Sequence, residues 1–289
     1  MCERSEKDAS LRRSASIMTY PFSHHPCFSD SRDDLWARIH VPVAPVCNVK
    51  CGFCTHGVGS SCHTSKPGYS SRLMSVDEAV SRVEEELARI PNLRIVAVSG
   101  PGEPLANPQT IELLDRVREI EPDIKFCLST NGTLLADKVP RLVSLGVSTI
   151  SVSMSAISPP VAAQVYEWAR FKGERIRGIA MGQKIIERQL QGIRSASRAG
   201  LTVKVNTILI PSINTNDIVP LAQAVAEAGA SLQNIVPLVP SGNMTFLHPP
   251  TPEELEMVRT RARQFIPQFT HCQQCRSDVV GIPGFDRVL

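Results

Sequence analysis

Short alternating runs and amphipathic segments follow one another along most of the chain. Residues 75–90 set Val76, Ala79, Val80, Val83, Leu87 and Ile90 on one stripe of a helix, which Ser75 and Glu78 open as a capping box. Residues 149–155 alternate instead, with Ser151, Ser153 and Ser155 interleaved with Val152 and Met154, the period of a strand. Read in this way, strands are predicted over 36–43, 94–99, 124–130, 149–155, 202–210 and 234–239. Helices are predicted over 75–90, 108–120, 136–145, 158–171 continuing into 182–199, 218–228 and 251–265, with an interruption near 173–178. Gly146, Gly200 and Gly229 punctuate helix ends ahead of the next strand. Six strands each followed by a helix imply a parallel sheet covered by helices. Six units are too few for a closed eight-stranded barrel, so an α/β fold of the open, TIM-like (β/α)6 kind is expected. Its active groups belong at the C-terminal ends of the strands.

Composition narrows the function. A chain of 289 residues with 42% hydrophobic positions fills one barrel of this size. A net charge of +3 and 5% aromatic residues give neither an electrostatic footprint nor a stacking platform for nucleic acid. Residues 142–166 carry no charge, a length that could cross a bilayer, but the serine alternation and Pro159-Pro160 make them a strand and a turn. A second uncharged run, 228–252, is broken by prolines. No membrane partner is expected. Residues 1–23 have no apolar core segment and read as a disordered extension, and without a targeting signal the expected location is the cytoplasm.

The cysteines carry the chemistry. Nine of them, an odd number in a long chain without a secretion signal, do not read as a disulfide framework. Cys47-Asn48-Val49-Lys50-Cys51-Gly52-Phe53-Cys54 directly follows the first predicted strand. Three thiolates so spaced can hold three irons of a [4Fe–4S] cluster and leave the fourth open to a small ligand. A structural zinc ion would call for four protein ligands. A C-x3-C-x2-C loop at the end of the first barrel strand is the mark of radical S-adenosylmethionine (SAM) enzymes, which assigns Cys47, Cys51 and Cys54 to catalysis. At the end of the second strand, Ser99-Gly100-Pro101-Gly102-Glu103-Pro104 resembles the glycine-rich segment that holds the methionine amino group in that fold. Glycine lets backbone approach a ligand, and Glu103 can accept from an ammonium. Ser129 and Asn131, in Ser129-Thr130-Asn131-Gly132 after the third strand, offer polar groups to the same cofactor. On their own both segments are ordinary turns.

Cys27, Cys62, Cys127, Cys272 and Cys275 remain, apart from Cys2. Taken singly, Cys127 reads as a core thiol and the Cys272/Cys275 pair as half a zinc site. Taken together with a histidine, they make enough ligands for two further cubane clusters.

With these segments in order, the sequence resembles the NifB family of radical SAM maturases. The resemblance runs over residues 24–286. It rests on His25-Pro26-Cys27-Phe28-Ser29, Ile39-His40-Val41-Pro42-Val43-Ala44-Pro45, the three-cysteine loop, Gly102-Glu103-Pro104-Leu105-Ala106-Asn107 and Cys127-Leu128-Ser129-Thr130-Asn131-Gly132. Val203-Lys204-Val205-Asn206, Ile210-Pro211, Asn234-Ile235-Val236-Pro237-Leu238 and His271-Cys272-Gln273-Gln274-Cys275-Arg276 complete it. The chain departs from the family pattern after the loop, with Thr55-His56, a later Cys62 and Thr64-Ser65-Lys66-Pro67-Gly68, and with Ser155-Ala156 on the fourth strand.

The resemblance implies a three-cluster enzyme. Residues 24–266 would form the barrel with an N-terminal ligand segment, and 267–289 a cluster-binding tail. Gly100, Gly102, Glu103, Ser129, Asn131 and Asn206 would bind SAM, and His25, Cys27, Cys62, Cys127, Cys272 and Cys275 would hold two substrate [4Fe–4S] clusters. One SAM would methylate a cluster sulfide and a second would yield the radical that abstracts hydrogen from that methyl. The product would be a carbide-centred eight-iron precursor of the nitrogenase cofactor, made by a lyase-type enzyme. Implied partners are an iron–sulfur cluster donor, a ferredoxin- or flavodoxin-type electron donor, and a downstream cofactor scaffold or carrier. Two other readings fit the same residues: a relative acting on a different substrate, and a non-enzymatic multi-cluster scaffold.

Overall fold

A computed structural model describes residues 23–55, 58–59 and 68–289. The extension expected before residue 23, and Cys62, lie outside the described residues but for the boundary residue Ser23. In chain order the first elements are β1 (Ala37–His40), β2 (Val49–Cys51), α1 (Val76–Arg89), β3 (Leu93–Val98), α2 (Pro108–Ile120), β4 (Lys125–Thr130), α3 (Leu135–Ser144) and β5 (Val147–Ser153). Then come α4 (Pro159–Val165), β6 (Tyr166–Phe171), β7 (Glu174–Ile176), α5 (Gly178–Arg198), β8 (Thr202–Leu209), α6 (Pro211–Asn214) and α7 (Ile218–Glu227). The last are β9 (Leu232–Pro237), α8 (Pro252–Ala262), β10 (Val279–Gly281) and β11 (Arg287–Val288).

The six predicted strands are all present and run parallel in the order β1-β3-β4-β5-β8-β9. Each neighbour in the sheet is the next βα unit along the chain, which is the order of an open barrel. Ser75 caps α1 in a reciprocal box with Glu78, as its sequence predicts. Alternation along the strands then sorts the side chains. Ala37, Ile39, Val96, Val98, Phe126, Leu128, Ile150, Val152, Val203 and Val205 join the large apolar core with the helices. Each such burial stabilises the fold by roughly 2 kcal/mol. The opposite face carries Arg38 and His40 on β1, Cys127 and Ser129 on β4, and Lys204 and Asn206 on β8. That inner face lines the lumen.

The structure corrects the helix expected over 158–171. Helix α4 ends at Val165, and Tyr166 opens a β6–β7 hairpin that turns at Lys172 and Gly173, with φ of 49° and 87°. The hairpin pairs with β2, inside the cysteine loop, through Val49↔Ala169 and Lys50↔Trp168. Its partner is more than a hundred residues away in sequence terms, so no local period could announce it. The tail after α8 also forms strands. Strand β10 lies antiparallel to β1, with Arg38↔Gly281 and Ile39↔Val280, and β11 pairs with β10. No helix among the described residues is long and apolar enough to cross a membrane.

Candidate active site

The loop after β1 is fixed from four sides. Gly52 N–H donates to the Val165 carbonyl at 2.9 Å, and the Gly52 carbonyl accepts from Asn243 N–H at 2.8 Å. Ser241 Oγ donates to the Phe53 carbonyl at 2.5 Å, and Lys50 Nζ donates to the Cys54 carbonyl. Gly242 sits against this loop with φ 59°, where a Cβ would lie 2.5 Å from the Gly52 carbonyl oxygen. The backbone is therefore held, and none of the three cysteines is in a disulfide.

The segment after β3 closes on the segment after β1. Gly102 N–H donates to Ala44 at 2.7 Å and Glu103 N–H to Val46 at 2.9 Å. Asn107, which the sequence analysis quoted only within a motif, completes the tie. Its Oδ1 accepts from Val46 N–H at 3.1 Å, and its Nδ2 donates to the Val46 and Glu103 carbonyls at 2.8 and 2.7 Å. A Cβ on Gly102 would meet Val46 O at 2.4 Å, Val46 C at 2.7 Å and Ala44 O at 2.8 Å. All three obstacles are backbone, so nothing can swing aside. Gly102→Ala is expected to cost about 1–3 kcal/mol by overpacking, with Cys47 displaced. A urea midpoint equal to the wild type would refute the close fit.

Glu103 is buried, and its carboxylate is surrounded by donors. Oε1 accepts from Thr130 Oγ1 at 2.5 Å and Leu105 N–H at 3.1 Å; Oε2 accepts from Asn131 N–H at 2.6 Å. Burial pushes its pKa up to about 7, against hydrogen bonds that favour the carboxylate. Asn131 Nδ2 donates to Asn48 Oδ1 at 2.9 Å and lies 3.9 Å from Cys47 Sγ. Glu103 thus holds Asn131 beside the first cysteine. On this geometry Glu103 positions the β4 turn, with one oxygen still able to accept from a ligand.

Cys47, Cys51 and Cys54 lie close enough together for the Cys54 thiol to act on the titration of the other two. Burial pushes Cys47 up to about 12, with the Glu103 carboxylate and Cys54 adding to the rise. Burial and then the Cys54 and Cys47 thiols hold Cys51 well above the ordinary range. Such thiols are protonated unless a metal takes the proton's place, and their donor set suits an iron–sulfur cluster bound through three cysteines. Among the described residues no group of three or more His, Cys, Asp or Glu could hold a single metal ion.

Below the loop, the lumen gathers most of the other singled-out residues. Burial pushes Cys127 up to about 12, and Cys27 adds to the rise. Burial likewise pushes Cys275 up to about 11, opposed by Arg38. Arg38 Nη2 donates to Cys275 Sγ at 3.1 Å and to Asp286 Oδ2 at 2.5 Å, and Nη1 donates to the Gly281 carbonyl at 2.6 Å. Cys27 and Cys272 pack against the apolar cluster of Phe28, Ile95, Ala97, Cys127, Leu232 and Phe269. His25 is buried beside Cys27, whose N–H donates to its Nδ1 at 3.1 Å. Burial pushes both His25 and His40 down to about 3, so both imidazoles are neutral. Asn206 is turned toward β9, its Oδ1 accepting from Asn234 Nδ2 at 3.0 Å. Gly100 packs on Ser277 of the tail, where a Cβ would lie 2.7 Å from the hydroxyl. Ser129 lies on β4 opposite Ser151. Arg38 and Lys204 were missed as interior charges.

Residues 41–225 match the Radical SAM superfamily. Over 265 residues the chain is 38% identical to "FeMo cofactor biosynthesis protein NifB" of Methanocaldococcus infernus, covering 90% of this chain and 87% of that protein. The chain belongs to the NifB family. The Klebsiella pneumoniae protein of the same name is 40% identical over 91% of this chain, but this chain spans only 58% of its length. Among solved structures, the radical SAM methyltransferase TsrM of Kitasatospora setae shares the fold, with a TM-score of 0.50 at 15% identity over 73% of this chain and 38% of that one. Membership in the superfamily implies a [4Fe–4S] cluster and SAM, and the trio Cys47, Cys51 and Cys54 fits that cluster. NifB-family membership agrees with the resemblance drawn from the motifs.

Proposed function

We propose that the chain is a radical SAM maturase that methylates one of two [4Fe–4S] substrate clusters and fuses them into a carbide-centred eight-iron precursor of the nitrogenase cofactor. One observation carries this reading. Cys27 packs against the cluster that contains Cys127 and lies close enough to raise the titration of both Cys127 and Cys275, so cysteines from three distant parts of the chain approach one another. A second set of buried thiols supports clusters beyond the one that the loop would hold.

When bound, the Cys47/Cys51/Cys54 cluster with SAM supplies both methyl transfer and hydrogen-atom abstraction. The chain supplies the rest. Glu103 and Asn107 lock the loop to the β3 and β4 ends, so that Asn131 stays beside Cys47. The lumen walls exclude water and hold the substrate clusters near the loop. Neutral His25 accepts the Cys27 N–H at Nδ1 and would have to give up that bond to ligate iron through it, and the tail from 267 to 289 brings Cys272 beside the Cys127 cluster and Cys275 beside Arg38. A cluster donor, a ferredoxin- or flavodoxin-type reductant and a cofactor scaffold or carrier complete the pathway.

Two measurements test this. Anaerobic reconstitution should load about twelve irons per chain, three four-iron clusters. Turnover with reductant should release both S-adenosylhomocysteine and 5′-deoxyadenosine. Four irons and 5′-deoxyadenosine alone would reveal an enzyme with another substrate, and an absence of SAM consumption would leave a scaffold.

A further inference from the structure

The lumen holds two buried cations with unlike surroundings. Arg38 has a carboxylate, Asp286, as its ion-pair partner. Lys204 is 3% exposed, and its ammonium donates to the Cys27 carbonyl at 2.8 Å. The Phe28 and Phe269 ring centroids lie 4.7 and 5.1 Å from Nζ. No carboxylate among the described residues forms an ion pair with it. Its charge is felt instead by the neutral imidazoles of His25 and His40 and by the Cys127 thiol.

An ammonium has three donors, and burying one without an anion is costly. A carbonyl and two aromatic faces attract the charge without neutralising it. A methionine would fill the same space between the two rings, so packing alone does not call for an ammonium on the inner face of β8. The thiols around it point to the missing anion. A doubly positive four-iron core held by three thiolates carries one net negative charge, the complement of a single ammonium.

We propose that Lys204 is the fixed counter-charge for an anionic iron–sulfur cluster held by the lumen thiols. The inference rests on the reading that the lumen accepts such a cluster, and it adds the residue that determines the cargo's charge. Among the described residues the hydrogen bond and ring contacts of Lys204 are to Cys27, Phe28 and Phe269 rather than to the Cys47/Cys51/Cys54 loop, so its effect is expected mainly in the lumen.

The test is Lys204→Met in the full chain, beside Lys204→Arg and wild type. The apo Lys204→Met protein should be at least as resistant to urea as wild type, because an uncompensated buried charge has gone. After anaerobic reconstitution it should lose lumen-cluster iron to a chelator about tenfold faster. The iron at the loop and SAM binding should be unchanged. A lumen cluster that remains should show a more negative reduction potential, and Lys204→Arg should restore retention. A Lys204→Met protein with wild-type chelator kinetics and potential would overturn the proposal, as would failure of Lys204→Arg to retain more iron than Lys204→Met. A wild-type chain that loads only the loop cluster would instead remove the reading on which the inference rests.

Discussion

Replacing Cys272 and Cys275 together by alanine is expected to remove about four irons per reconstituted chain while the loop cluster stays in place. The two thiols come from a segment that follows the last helix, and neither supports the parallel sheet. Cys275 receives a hydrogen bond from Arg38, which keeps Asp286 and the Gly281 carbonyl when the thiol is gone. Among the described residues Cys272 accepts one 3.4 Å hydrogen bond, from Gln274 N–H within its own turn. The double variant should therefore fold and bind SAM, since Glu103, Asn131 and the loop are untouched. It should produce no S-adenosylhomocysteine if the cluster held there offers the sulfide that accepts the methyl. Iron, sulfide and SAM-product analysis beside wild type decides the matter. Unchanged iron content would remove the tail from the ligand set, and with it the three-cluster reading.

The Glu103 variants should show the largest effect on stability. Glu103→Ala strips acceptors from Thr130 Oγ1, Asn131 N–H and Leu105 N–H in a buried site, a loss of roughly 3 kcal/mol. Glu103→Gln is nearly isosteric but is also expected to cost about 2 kcal/mol, because its amide nitrogen would point a donor at the N–H of Asn131 or of Leu105. Both should weaken SAM binding, since Asn131 would no longer be held beside Cys47. Urea unfolding of the apo protein and SAM binding to the reconstituted one measure the two consequences. A Gln variant as stable as wild type would mean that the folded protein holds Glu103 protonated.

The parallel barrel was legible because each of its βα units is signalled locally, by alternation, by a helical stripe or by a cap such as Ser75 with Glu78. The elements that escaped depend on distant partners. Tyr166–Phe171 pairs with a strand inside the cysteine loop, and the three-residue β10 with β1. The proximity of the loop cysteines follows from their close spacing along the chain. Arg38 and Lys204 were not readable, for a physical reason. A polar face on an alternating strand ordinarily means solvent, whereas in an open barrel it lines the interior, where charge must be balanced. The role of Asn107 was equally silent, since one asparagine after a turn gives no sign that it will tie two strand ends together.

The segment after α8 has a second consequence, for the way the molecule coexists with its neighbours. An open barrel leaves two border strands whose backbone N–H and C=O groups could template pairing with another chain. Here β10 occupies the border of β1, and Gln268 meets Gln233 of β9 at a single bridge, so different residues of one segment reach both borders. The segment that brings Cys272 and Cys275 therefore also covers backbone at both ends of the parallel sheet. Deleting it would confound lost ligands with aggregation, whereas substitutions at the two thiols leave the borders covered.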